Sequence, residues 1–441
     1  MPKLVAVAEA PGSTARRAGP SAPALPPPAA VRYQSLDIWR GIACLMVVVV
    51  HSSFYWKFDA PPAGSPDQSV AAHVLGLVPM LALGVQIFFV ISGYCIAATA
   101  DSVRRKPGRT AEYFRRRVRR IFPPYWAALL LALALPALVA ALGWPGLSGS
   151  TGGVNTGSIP TAAELTGWQW LGNLTLTEEW RHHLFGSDQL NLLGPAWSLC
   201  YEEQFYLVCG AILLIAPRRF FTGALLVTLG TLALMVVSSA CGGLPIRGFF
   251  FDGRWLLFAA GVFIYYHHNY AAPREWWLVP AGLALAITAA LIVRYGFLAR
   301  SGTELKSWAF EYVAGALFAI VLLLLRRWDG LLARARILKP LAACGTMCYS
   351  LYLVHWPITK LTSAALFQAG VRGAWPTLLV TIPIAMTASL LVARAFYLLV
   401  ERRFLNQPAG APKKDARRVK TPNIPAPRPA VGAMAMAPAG G

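Results

Sequence analysis

The stretch Leu36-Asp37-Ile38-Trp39-Arg40-Gly41-Ile42-Ala43-Cys44-Leu45-Met46-Val47-Val48-Val49-Val50-His51 decides the fold: an apolar run is bracketed by an ion pair at one end and a histidine at the other. At about 100° and 1.5 Å per residue, the step from Arg40 to His51 is about three turns plus 20°, so both side chains project from one helix face roughly 16 Å apart. Asp37 falls on the same stripe, three residues before Arg40 and near enough to neutralise it. An uncompensated ionisable group is costly in hydrocarbon, so this face is expected to look into protein, or into one wet passage linking the two sides of a bilayer. The plainer reading makes Arg40 an inner-end anchor and His51 an interfacial residue, with no chemistry in either.

The rest of the chain has the composition that such a helix requires. Its 441 residues are 56% hydrophobic, 12% aromatic and 13% charged, with a mean hydropathy of +0.51, far more apolar than a soluble domain. The net charge of +21 comes from Lys and Arg between apolar segments and in the two tails. It therefore reports membrane topology, and no nucleic-acid partner is expected. The seven cysteines lie in or beside apolar segments with no zinc-type or paired-loop spacing. They read as small core residues, and neither a metal site nor a disulfide framework is expected.

Ten apolar segments are long enough to span, roughly 36–54, 75–98, 121–143, 196–216, 220–240, 250–267, 276–295, 307–325, 340–358 and 376–400. The expected fold is all-α, a polytopic membrane helical bundle of about ten transmembrane helices. Residues 1–32 read as a disordered cytoplasmic tail rather than a signal peptide, 33–405 as one membrane domain and 406–441 as a disordered basic cytoplasmic tail. Arginine and lysine crowd the connections at 104–120 and 326–339, whereas 144–195 has Arg181 alone against Glu164, Glu178, Glu179 and Asp188. That alternation places both termini in the cytoplasm of a multi-pass protein of the plasma (inner) membrane, with Arg40 toward the inner end of the first helix and His51 at its outer end. The 144–195 connection, with Trp168, Trp170 and Trp180, reads either as the wall of an acceptor site or as a set of interfacial anchors.

Four further stretches carry polar groups where lipid would not tolerate them. Gly84 to Tyr94 offers Ser92 and Gln86 among small residues suited to close helix packing. Tyr113 to Trp126 sets a guanidinium cluster, including Arg116, Arg119 and Arg120, just before Pro123, Pro124 and Tyr125. Such forks pair with phosphates, as on coenzyme A, and equally with anionic lipid. Trp197, Ser198, Glu202 and Glu203 open the fourth segment. The adjacent carboxylates point about 100° apart, so one is expected to face a cavity beside Ser198 and the other to pair with an arginine, unless both are structural. In the ninth segment Tyr349, Tyr352 and His355 recur at three-residue steps before Pro357, which is expected to end or kink the helix. His355 reads as a second base, a binding residue or a hydrogen-bonded interfacial histidine. Glu401 reads as a local ion pair with Arg402 and Arg403.

Taken together, the chain from Leu36 to about Phe404 resembles the acyltransferase-3 family of ten-helix membrane O-acyltransferases. The resemblance rests on five motifs in order: Leu-Asp-x-x-Arg-Gly with Arg40 and His51, Phe88 to Tyr94, Arg119 to Tyr125, Trp197 to Tyr206, and Tyr349 to Trp356. It implies an acyl-coenzyme A donor, usually acetyl, reached from the cytoplasm, and a hydroxyl acceptor on a saccharide or glycan at the outer face. No resident cofactor is implied. His51 is then the catalytic candidate with Arg40 as its companion. Many members fuse a C-terminal extracytoplasmic hydrolase-like domain; this sequence continues into a short basic tail instead, so the resemblance constrains the acceptor less.

The chemistry agrees on separate grounds. A sugar hydroxyl is a poor nucleophile at neutral pH, and a neutral imidazole is the natural base for its attack on a thioester. His51 either removes that proton or first carries the acyl group itself. Arg40 is better suited to positioning the donor, and Glu202 or Glu203 to orienting His51. The candidate catalytic residues are thus His51, Arg40, Glu202 and Glu203. The candidate binding residues are Asp37, Ser92, Arg116, Arg119, Arg120, Tyr125, Trp197, Ser198, Tyr349 and His355. A secondary transporter would also use intramembrane ionisable groups, but internally repeated halves are missing. A basic membrane scaffold would leave the buried Arg, His and Glu unexplained.

Overall fold

The computed structural model describes residues 33–58, 69–105, 108–141, 160–185, 188–240, 253–295 and 303–405; the two expected tails, 1–32 and 406–441, lie outside the described residues. No strand occurs among the described residues. In chain order the helices are α1 (Leu36–Ser52), α2 (Val70–Leu77), α3 (Gly84–Arg104), α4 (Thr110–Ala141), α5 (Gly167–Thr175), α6 (Glu178–Phe185), α7 (Ala196–Ile215), α8 (Phe220–Ala240), α9 (Trp255–Asn269), α10 (Leu278–Tyr295), α11 (Thr303–Leu325), α12 (Asp329–Arg334), α13 (Lys339–Thr346), α14 (Cys348–Gln368), α15 (Ala374–Pro376) and α16 (Ile382–Leu399). Helices satisfy their backbone hydrogen bonds internally, which lipid demands. Their outward faces are apolar to a degree water would not accept: Ile215 is 84% exposed, Val236 69% and Leu285 70%.

Seven of the ten expected segments coincide with helices long and apolar enough to cross a bilayer, and an eighth, at the ninth expected segment, is a pair of helices bent by 72°. The remaining two correspond to α9 and α10, which are helical but outside that set. The 15 residues of α9 rise about 22 Å, short of the roughly 30 Å of hydrocarbon. Pro357 does not end its helix. α14 runs through it to Gln368, and the sharp bend falls instead at Met347, between α13 and α14. Packed neighbours in a bundle can absorb the hydrogen bond that proline removes.

The helix that carries Arg40 and His51 is pinned at its start and along its side. Asp329 accepts hydrogen bonds from the Gln34 amide at 2.7 Å, the Ser35 amide at 3.0 Å and the Ser35 hydroxyl at 2.6 Å. A carboxylate there favours the positive end of the α1 dipole. The Tyr33 hydroxyl donates to the Leu322 carbonyl at 2.5 Å. Gly41 lies against the Leu341 backbone and Gly345 against that of Asp37, so α1 and α13 meet backbone to backbone. The same device joins α3 to α9, where Gly93 meets Phe258 and Gly261 meets Val90 and Tyr94. Glu401 does not simply pair with its neighbouring arginines: it reaches the first turn of α14, accepting from the Ser350 amide at 3.0 Å and the Ser350 hydroxyl at 2.5 Å.

Candidate active site

A cavity of about 390 Å³ opens where α1, α3, α4, α7 and α14 converge. Helical periodicity selects what each contributes. Asp37 and Arg40 come from α1, Ser92, Cys95 and Thr99 from α3, Arg117 and Arg120 from α4, Ser198, Glu202 and Tyr206 from α7, and Tyr349 and Tyr352 from α14. The Arg40 guanidinium bonds to the Asp37 carboxylate at 2.7 Å and to the Cys95 sulfur at 2.9 Å. Arg117 donates to the Thr99 hydroxyl at 3.1 Å and lies over the Tyr206 ring. Glu202 accepts from the Ser92 hydroxyl at 2.6 Å and from the Tyr206 hydroxyl, while the Tyr349 hydroxyl donates to the Ile121 carbonyl at 2.8 Å. Three guanidiniums thus face two carboxylates across a partly buried space, which favours a polyanionic ligand.

His51 is elsewhere. It lines a second cavity of about 280 Å³ with Glu179, Gln189, Asn191, Trp197 and Trp356. Its ring stands edge-on to Trp356 at 4.8 Å between centroids and 5.2 Å from that of His355. The single passage expected from the α1 stripe is therefore two cavities, Arg40 in one and His51 in the other. They come together at the first turn of α7, where the Tyr352 hydroxyl, from the first cavity, donates to the carbonyl of Pro195, which lines the second, at 2.5 Å.

One wall of the His51 cavity comes from the described part of the 144–195 connection, which supplies Pro160, Glu179, Gln189 and Asn191. It folds into α5 and α6, held by buried polar bonds. The Tyr125 hydroxyl donates to the Asn173 carbonyl at 2.8 Å, the Asn173 amide donates to the Leu190 carbonyl at 2.7 Å, and Arg181 pairs with Glu178 at 2.9 Å. Trp197 is stacked by the Arg254 guanidinium at 4.8 Å.

Of the residues singled out in the sequence, Asp37, Arg40, Ser92, Arg120, Ser198, Glu202 and Tyr349 meet in the first cavity, and His51 and Trp197 in the second. The others do not join them. Arg116 is exposed and pairs with Glu112; Arg119 is exposed and reaches the Arg403 carbonyl at 3.4 Å. Tyr125 is buried in its bond to Asn173. Glu203 lines neither cavity, and neither carboxylate hydrogen-bonds His51, so the expected orienting role has no geometric basis. His355 is wholly buried, lines neither cavity and donates through Nδ1 to the Leu351 carbonyl at 3.0 Å. Arg117, Tyr352 and Glu179 also line these cavities, although none is among the candidate site residues of the sequence. Arg117 had a signal, since it shares the helix face of Arg120 three residues on. Glu179 had none, because only the tertiary fold of the connection brings it to His51. Among the described residues no three His, Cys, Asp or Glu side chains gather as a metal site would need.

Comparison with known proteins now bears on this arrangement. A family profile described as an acyltransferase domain, of the acyltransferase-3 type, matches residues 33–394. O-acetyltransferase OatA of Staphylococcus aureus is 24% identical over 77% of the chain and 56% of its own length. Peptidoglycan O-acetyltransferase OatA of Listeria monocytogenes is 24% identical over 85% of the chain and 55% of its own length. The putative membrane-bound transacylase BcsY of Komagataeibacter xylinus is 26% identical over 86% and 85%. The chain thus spans little more than half of the two O-acetyltransferases. No solved structure matches it.

Proposed function

From the fact that the chain belongs to the acyltransferase-3 family, we propose that it is a membrane O-acyltransferase that moves an acyl group, most simply acetyl, from acyl-coenzyme A to a hydroxyl of a saccharide or glycan at the outer face of the cytoplasmic membrane. The observation that carries the proposal is the division of α1 between two cavities, a guanidinium-lined one holding Arg40 and a second holding His51. Arg40, Arg117 and Arg120 suit the phosphates of coenzyme A, and their cavity is the donor site. The basic connections support a cytoplasmic position for that side and for both termini, and counting α9 and α10 as crossings makes ten passes. His51 takes the proton of the acceptor hydroxyl as its oxygen attacks the thioester carbon. The carbon–oxygen bond forms, the carbon–sulfur bond breaks, and the departing thiolate receives the proton from the imidazolium. The names of the relatives, which are O-acetyltransferases and a transacylase, support the group transferred and the acceptor atom.

The test is transfer from radiolabelled acetyl-coenzyme A to saccharide in membranes carrying wild-type chain or His51→Ala. A fall of about 10²-fold or more in the mutant is expected, and undiminished transfer by the mutant removes the proposed base.

A further inference from the structure

We infer that Tyr352 is the partition between the two cavities, the point at which the acyl group passes from the donor site to His51. This inference rests on the O-acyltransferase reading. Transfer needs the thioester carbon and the acceptor oxygen at bonding distance, yet Arg40 and His51 line different spaces. One reactant has to cross what separates them.

The linings of the two cavities meet at Tyr352. Its ring faces the donor cavity and is 8% exposed. Its hydroxyl stands 2.5 Å from the Ser198 hydroxyl and donates to the Pro195 carbonyl at 2.5 Å. Ser198 lines the donor cavity and Pro195 the His51 cavity, so the phenolic hydrogen bond, with a longer one of 3.4 Å from the Ser198 hydroxyl to the same carbonyl, links the lining of one to that of the other. Beyond it the rings of Tyr352, His355 and His51 follow one another at 5.7 Å and 5.2 Å. A phenol carries one proton. With Ser198 as its donor, that proton goes to the Pro195 carbonyl, and an arriving thioester carbonyl can replace Pro195 as the acceptor. The wall then opens by exchanging one hydrogen bond for another, and the hydroxyl is left on the oxygen that gains charge as the acceptor attacks. Phe88, edge-on at 6.1 Å, backs the ring from α3.

The experiment uses the full chain in sealed right-side-out vesicles and reads Cys95, a thiol on the donor-cavity wall, by peptide mass spectrometry after exposure to a small membrane-impermeant methanethiosulfonate. The wild type should be modified slowly from outside, and Tyr352→Ala about tenfold faster or more, because the partition is gone. This readout needs neither donor nor acceptor, so it can fail or succeed independently of acyl transfer. Tyr352→Phe keeps the ring and loses the hydroxyl; its kcat should fall about tenfold or more with KM for acetyl-coenzyme A within about threefold. If Tyr352→Ala is poorly folded, Tyr352→Phe, which loses the bond to the Pro195 carbonyl, should accelerate Cys95 modification by a smaller factor. Equal Cys95 modification in wild type and Tyr352→Ala places the partition elsewhere and overturns the inference, as does full kcat in Tyr352→Phe.

Discussion

Gly345 lies against the carbonyl of Asp37 with no room for a methyl group between them. α1, which bears both Arg40 and His51, therefore owes its position to a missing side chain on α13. Rigid backbone on both sides cannot yield as a long side chain would, so the contact behaves like an overpacked core when enlarged.

Gly345→Ala is accordingly expected to cost about 1 to 3 kcal/mol of stability and to lower transfer, by displacing the end of α1 that holds Arg40. Gly230, inside α8, has nothing within reach of an added methyl. Gly230→Ala should be neutral or stabilising by about 0.5 to 1 kcal/mol, since helix propensity alone is at stake. Thermal unfolding of the two variants in detergent checks the contrast.

Arg117 lines the Arg40 cavity, and Arg116 beside it is exposed. A charge-assisted bond to phosphate is worth about 1.5 to 3 kcal/mol, so Arg117→Ala should raise KM for acetyl-coenzyme A about tenfold to hundredfold. Arg116→Ala loses only an exposed i,i+4 pair and should stay within about twofold. Steady-state kinetics on the pair decides whether this face of α4 holds the donor; equal effects would return the cluster to a general lipid-facing role.

What the sequence showed, it showed through periodicity. The Asp37 and Arg40 pair forms as spacing predicted, at 2.7 Å, and the fourth segment does turn one of its two carboxylates, Glu202, into a cavity with Ser198. Spacing along one helix says nothing about what lies opposite it. A straight stripe from Arg40 to His51 reads as one passage because the residues that join the linings of the two cavities, Tyr352 and Pro195, arrive from α14 and the turn before α7. The same limit hid Glu401, whose partner Ser350 is 51 residues away, and Glu179, which only the folding of the outer connection carries to His51.

Glu202 accepts from Ser92 and Tyr206 in the Arg40 cavity, with no bond to His51. Glu202→Ala strands two hydroxyls and should raise donor KM about tenfold, while the pH dependence of kcat, set by His51, keeps its midpoint. Glu203→Ala, at a residue lining neither cavity, should lie within about twofold. A displaced midpoint in Glu202→Ala would restore the carboxylate as the orienter of the histidine.

The described part of the 144–195 connection stands on Glu178 and Arg181, buried to 0% and 1% exposure and joined twice, at 2.9 and 3.0 Å. Glu178 also accepts from the Leu190 amide at 2.9 Å, and Leu190 lines the His51 cavity beside Glu179. Removing the guanidinium takes the bidentate partner from a buried carboxylate, which costs about 3 to 5 kcal/mol, whereas an apolar pair of similar volume can be neutral. Arg181→Ala should therefore lower thermal stability sharply and weaken transfer to the saccharide more than donor binding. Glu178→Leu with Arg181→Met should recover much of the stability but less of the transfer, because the bond to the Leu190 amide is also lost. If Arg181→Ala unfolded within about 1 kcal/mol of wild type, the pair would be a bystander, and the wall facing His51 would have to be held by other bonds, among them those of Asn173, Tyr125 and Gln169.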